Sequence, residues 1–330
     1  MYQRKIMFIL GLVTLMPFGS SKAYVYLKYA SRPVVSEKEY VCAIGALYNL
    51  SCDQIWDAHK PYESVFQENR NIPVSDDAPY LIEAKTHRLW LTPPDAPKEV
   101  AEDRLQFYNQ SLQFYAGKPY EHHFWCNGKH LIPQTIATIE KFNIPGVIHE
   151  IEEVLDRFIT KNLFRIFLND KRLSKAGDLA RQEILLQYGG LYADIGLEQL
   201  HDLEAYFKKY TWIQFMWLDR PNCSYRLGSS ALGAQKGSQL LRKSLRFIRE
   251  LSNVVSRIRL KMESGEGASM LITWHAWRLF WALEEAPKSS LGFVYKNIDF
   301  DYHGFSSWHW EMDTFSVDYY REVFKLHPEL

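Results

Sequence analysis

The chain has 330 residues, 47% of them hydrophobic and 24% charged. That is enough apolar side chain for one large domain with a small appendage, and too much for a disordered or fibrous chain. Its 39 basic residues equal its 39 acidic ones, which argues against a dedicated nucleic-acid binder, whose affinity rests on surplus Lys and Arg facing phosphates.

The N-terminus carries Arg4 and Lys5, an apolar run from Ile6 to Phe18, and the small-residue end Gly19-Ser20-Ser21-Lys22-Ala23. This is the pattern of a secretory signal, and the run is shorter than the roughly 20 apolar residues a spanning helix needs. Residues 1–23 are therefore expected to be a signal peptide cleaved near Ala23, or an uncleaved signal anchor. Either directs the chain through the secretory pathway: secreted, periplasmic, or in the Golgi or endoplasmic reticulum lumen. Losing Arg4, Lys5 and Lys22 takes the net charge from zero to −3. Four cysteines follow: Cys42, Cys52, Cys126 and Cys223. An exported chain permits disulfides, and the short loop between Cys42 and Cys52 favours that pair, the alternative being four buried thiols.

Residues 24–79 read as an accessory segment, with a helix over Glu37–Leu50 and polar connections after it. From Tyr80 short apolar runs alternate with longer amphipathic ones, the pattern of an α/β domain over 80–330. Strands are predicted near Ala84–Leu91, Glu121–Cys126, Val147–Ile151 and Leu191–Ile195. Helices are predicted near Lys98–Phe114, Ile132–Phe142 and Leu179–Tyr188, the last stopped by Gly189-Gly190. His122, His123 and Cys126 fall inside a strand and are not read as metal ligands. Short connections between strand and helix favour a mostly parallel central sheet flanked by helices. Ser238–Met262 predicts a long amphipathic helix whose second face is basic (Arg242, Lys243, Arg246, Arg249, Arg257, Arg259 and Lys261). That face is a solvated surface, or a patch for an acidic acceptor or an anionic membrane surface.

In an open α/β sheet ligands sit beyond the carboxyl ends of strands, and Asp194 follows the strand Leu191-Tyr192-Ala193. Asp178 and Arg181 lie three apart, on one helix face. Such a pair could grip a ribose or base and a phosphate oxygen, or be a local ion pair at a helix N-terminus. No G-x-S-x-G elbow and no Walker-type phosphate loop occurs, and His149-Glu150 does not continue to a second histidine.

The run from Ala176 to Asp194 (AGDLARQEILLQYGGLYAD) resembles the signature of the DXD-motif sugar transferases, which include yeast outer-chain mannosyltransferases and, more distantly, the glucosyltransferase domains of large clostridial toxins. Members show Ser-Asp-x-x-Arg, a helix, Tyr-Gly-Gly and a strand ending in Asp-x-Asp. Thr86-His87-Arg88-Leu89-Trp90-Leu91-Thr92 looks like the family's first strand. Tyr302-His303-Gly304-Phe305-Ser306-Ser307-Trp308 resembles its closing His-x-x-x-Ser-Trp segment.

The resemblance spans roughly residues 80–310. It implies a GT-A type nucleotide-sugar-binding fold and transfer of a sugar from a UDP- or GDP-linked donor to an acceptor hydroxyl, with retention at the anomeric carbon. It also implies that Trp90 stacks on the base, that Asp178 and Arg181 hold sugar and nucleotide, and that Asp194 orients ribose and metal. Ser307 and Trp308 would close over the phosphates. The implied cofactor is a divalent cation, manganese or magnesium, held by Asp194 and His303. The implied partner is a nucleotide-sugar donor, with a glycan, protein or lipid acceptor.

One departure from the pattern matters. The second Asp, the family's direct metal ligand, is Gly196. Glu198 or protein cations are then the substitutes, or catalysis is lost and a sugar- or nucleotide-binding module remains. An exported glycosidase with two flanking carboxylates is the third reading, and the central motif argues against it. Of the aromatic residues, 15% of the chain, only Trp90 and Trp308 are assigned to the site. Trp212, Trp217, Trp274, Trp277 and Trp281 are expected in the core.

Overall fold

The computed structural model describes residues 34–35, 37–46, 49–56, 73–144, 146–219, 224–255, 261–262, 291–295 and 300–302. The leader at 1–23, His303, Ser307, Trp308, and Trp274, Trp277 and Trp281 lie outside the described residues, as does the side chain of Trp217.

The chain order is β1 (Val34–Val35), α1 (Glu37–Ala46), α2 (Cys52–Trp56), β2 (Lys85–Trp90), α3 (Glu102–Gln113), β3 (Glu121–Cys126), α4 (Pro133–Ile139) and β4 (Val147–Glu150). There follow α5 (Lys161–Asn169), α6 (Leu173–Tyr188), β5 (Gly190–Ala193), β6 (Leu197–Gln199), α7 (Glu204–Lys209), β7 (Trp212–Asp219) and β8 (Ser224–Ala234). Last are α8 (Gln239–Val255), β9 (Lys261–Met262), β10 (Leu291–Tyr295) and β11 (Phe300–Tyr302).

Among the described residues seven strands form one sheet in the order β10-β7-β8-β5-β2-β3-β4. The pairs β2–β3, β3–β4, β2–β5 and β7–β10 are parallel, and β8 runs antiparallel to both β5 and β7. The fold is mixed α/β with a mostly parallel central sheet flanked by helices, as the alternation of runs predicts.

Successive strand residues point to opposite faces of the sheet, and each face has its own core. Trp125, Tyr192, Trp212 and Leu232 pack with α5, α6 and α8 through Phe164, Leu179, Ile184, Leu241 and Leu245. On the other face Phe124 and Cys126 pack with Leu105, Tyr108 and Leu112 of α3 and Ile139 of α4. Trp212 is buried, as expected. Ile55 of α2 is fully buried in the α6 core, so part of the N-terminal segment is built into the domain. Cys42 and Cys52 are joined by a disulfide between α1 and α2, and Cys126 is a buried free thiol.

The helix α6 begins at Leu173, earlier than the predicted Leu179, and it is buried from Ala176 to Leu186. Gly177 and Asp178 look like a helix start in the sequence, yet packing on every side overrides that local preference. The predicted helix over 238–262 ends at Val255, and Lys261–Met262 is a strand paired with β1. Among the described residues no helix is long and apolar enough to cross a membrane.

Gly189 and Gly190 turn α6 into β5 with φ of 66° and 98°. A Cβ at Gly190 would meet the Lys85 carbonyl at 2.5 Å, so the turn needs glycine both for its backbone and for the closeness of β2.

Behind that turn a row of histidines crosses the parallel strands. His87 stacks on His123 at 5.0 Å between ring centres, and His123 Nδ1 lies 3.0 Å from His149 Nε2. Trp125 Nε1 donates to His87 Nδ1, which leaves Nε2 to carry the proton and donate to the Gly189 carbonyl.

Burial pushes His122 and His123 down to about 4, whereas an unfolded histidine titrates near 6.5. The unfolded chain therefore takes up protons that the folded one refuses, and stability falls as pH drops from about 6.5 to about 4. Thermal unfolding followed across that interval should show the decline, and replacing His122 and His123 by Gln should make it shallower, the remainder resting on His87, which burial also holds down. An unchanged decline in the variant would assign the effect to other groups.

Candidate nucleotide-sugar site

The sheet order places one feature. From β2 the chain steps outward to β3 and β4, then returns to lay β5 on the opposite side of β2. The direction of winding therefore reverses between β2 and β5, and a crevice opens beyond the carboxyl ends of strands at such a point. Trp90 is the last residue of β2 and Asp194 follows the last residue of β5. Those strands are parallel, with Thr86 opposite Leu191 and His87 opposite Tyr192, so both residues emerge at the same edge.

The helix α6 brings the other two residues there. Asp178 and Arg181 lie well inside it, one turn apart, and are 6% and 7% exposed. The expected three-residue pair is therefore real, but it is no helix-start ion pair. Arg181 Nη2 lies 3.2 Å from Asp178 Oδ1, and Nη1 lies 3.2 Å from Asp194 Oδ1. The same guanidinium donates to the Gly177 carbonyl and to the carbonyl and hydroxyl of Ser229 on β8. It also lies over the Tyr192 ring, 4.9 Å from its centre. Ser229 donates its hydroxyl proton to Asp178 Oδ1 at 3.1 Å, and Tyr192 donates to Asp194 Oδ1 at 2.7 Å.

One arginine thus ties a helix to two strands through two carboxylates. Burial pushes the Asp178 carboxyl up, Arg181 opposes that shift, and the Asp194 charge adds to it. Burial also pushes the Tyr192 hydroxyl far up, so it stays protonated and donating.

Arg88 has no assigned role in the sequence reading and belongs to the same cluster. It is 3% exposed, and it donates to the Asp194 carbonyl at 2.7 Å and to Ser111 on α3 at 3.1 Å. A charged residue inside a strand covered on both faces was the available signal. Ser229 and Tyr192 carried none, since their partners lie far away or in plain apolar context.

Trp90 is partly buried. Its Nε1 donates to the Lys98 carbonyl at 2.8 Å, and the Arg104 guanidinium lies 5.9 Å from its ring centre. This fixes an aromatic plane at the strand end, where a flat ring can stack at little entropic cost.

The implied divalent cation can be tested against these donors. Gly196 is buried in the turn after β5, which the Leu197 N–H closes onto the Asp194 carbonyl at 2.9 Å. It is not among the glycines with positive φ, and glycine supplies no carboxylate. Asp194 Oδ1 already accepts from Tyr192 and faces Arg181. Among the described residues no three His, Cys, Asp or Glu side chains are placed to hold a metal ion. Glu198 pairs in register with Asp301 across β6 and β11. The described donors do not fit a divalent cation.

No protein-family model matches the chain, and no curated protein does. Solved structures do. The PaToxG glycosyltransferase is 14% identical over 70% of this chain and 77% of its own, with a TM-score of 0.47. The catalytic domain of alpha-toxin from Clostridium novyi is 9% identical over 76% and 71%, with a TM-score of 0.41. The UDP-bound glycosyltransferase domain from the YGT toxin is 10% identical over 72% and 82%, with a TM-score of 0.40. At such values the likeness carries no argument about activity.

Removing one member of a buried charge cluster leaves the others uncompensated, at a cost of about 3–5 kcal/mol. Arg181→Met should therefore lower the unfolding midpoint sharply, and adding Asp178→Asn should restore part of the loss. If the double substitution is as unstable as the sum of the two singles, the ion pair is not what holds this site together.

Proposed function

We propose that the chain is a glycosyltransferase of the GT-A type, moving a sugar from a UDP- or GDP-linked donor to an acceptor hydroxyl with retention at the anomeric carbon. The observation that carries the reading is the meeting of Asp178, Arg181 and Asp194 at the crevice where the sheet order reverses, beside the strand that ends in Trp90. A nucleotide sugar offers a base, a ribose, a diphosphate and a hexose ring. Trp90 supplies a plane for the base. The Asp178 and Asp194 carboxylates accept hydrogen bonds from sugar and ribose hydroxyls, a role for which charged acceptors are strong. Arg181 keeps both carboxylates in place, so the ligand meets acceptors of fixed direction. Ser307 and Trp308, outside the described residues, are assigned to the phosphates by the resemblance of their segment alone. The leader at 1–23 supports export through the secretory pathway, and the exposed Lys243, Arg246 and Arg249 on α8 are the residues for contact with an anionic surface.

A second reading, a binding module without turnover, is favoured by Gly196 alone. Release of UDP or GDP from a panel of nucleotide sugars by the purified chain separates the two: turnover supports the enzyme, and binding without release supports the module. Asp194→Asn should cut release by about a hundredfold, the scale of losing a preorganised electrostatic partner. An unchanged rate would mean that the site is misplaced.

A further inference from the structure

The charges of the cluster balance among themselves. Asp178 and Asp194 contribute two negative charges; Arg181 touches both, and Arg88 holds the Asp194 carbonyl. Two carboxylates against two guanidiniums leave no excess negative charge. A bound Mg²⁺ or Mn²⁺ needs carboxylate oxygens that are free to coordinate, and it is normally the largest local charge in its site. Here the Oδ1 atom of Asp194 already accepts the Tyr192 hydroxyl at 2.7 Å and faces a guanidinium at 3.2 Å, so an ion could sit only on the other oxygen of the same carboxylate. It would lie within a few ångströms of that guanidinium, in surroundings where water screens like charges poorly. Gly196 removes the carboxylate that would tip the balance, and no left-handed backbone geometry accounts for a glycine there.

We infer that this pocket binds its donor without a divalent cation. Asp194 serves as a hydrogen-bond acceptor for a ligand hydroxyl rather than as a metal ligand, and Arg181 and Arg88 hold the balancing positive charge permanently in the protein. The inference rests on the nucleotide-sugar reading above, and it concerns the part of that reading where the chain leaves its resemblance.

Calorimetric titration of the full chain with UDP-glucose, UDP-N-acetylglucosamine and GDP-mannose tests it, each run once in EDTA and once in manganese. Whichever sugar nucleotide binds should do so with a Kd that agrees within about tenfold between the two conditions. Binding seen only in manganese, or weakened in EDTA by more than that factor, overturns the inference and leaves the nucleotide-sugar reading standing. Failure of every probe in both conditions removes the reading and the inference together. Paramagnetic resonance of manganese gives an independent readout. The chain with its sugar nucleotide should leave the free-ion signal where the sugar nucleotide alone leaves it, and a further protein-dependent loss of signal overturns the inference.

Discussion

The guanidinium of Arg181 is the constraint on which the site depends. It is buried on a buried helix, and its partners come from three elements: Asp178 and Gly177 on α6, Ser229 on β8, and Asp194 after β5. Burying a charge in this way is costly unless every partner is in place. The arrangement is therefore all or nothing, and it sets the register of α6 against the end of β5. The Gly189-Gly190 turn serves the same end. It folds α6 back along the sheet within two residues and brings β5 close enough to β2 that a side chain at 190 would strike the Lys85 carbonyl.

The two cores explain why those charges can be held so deeply. Trp125, Tyr192 and Trp212 form one face with α5, α6 and α8, and Phe124 and Cys126 form the other with α3 and α4. The sheet is thus dry on both sides over its middle strands. Polar groups there must find protein partners, which is why Arg88 reaches to Ser111 and the Asp194 carbonyl, and why the histidines pair with Thr86, Gly189 and one another. The 15% of aromatic residues mostly serve this packing, and Trp90 is the described exception with a place at the rim.

Local signals were legible in the sequence where one element decides them. The strand Glu121–Cys126 has the predicted bounds, and Gly189-Gly190 ends its helix as read. The spacing from Asp178 to Arg181 to Asp194 named three residues that do meet. Tertiary decisions were not legible. The first turn and a half of α6 was missed because Gly177 and Asp178 suggest a helix start, and only packing from all sides keeps them helical. The helix before it, α5, and the antiparallel hairpin of β7 and β8 escaped notice. A run such as Trp212–Asp219 shows no alternation when both its faces are covered, and its pairing with β10 is long-range, as is that of β8 with β5. Ser229 could not be foreseen as a partner of Asp178 for the same reason, since 51 residues separate them.

The proposed function requires that the crevice between the ends of β2 and β5 receive a nucleotide sugar. The most direct measurement is a crystal structure of the chain soaked with the nucleotide sugar it binds best. The base should lie against Trp90, with hydroxyls of the sugar or ribose on Asp178 and Asp194. Density for the ligand elsewhere on the molecule, with Arg181 and its two carboxylates untouched, would contradict it.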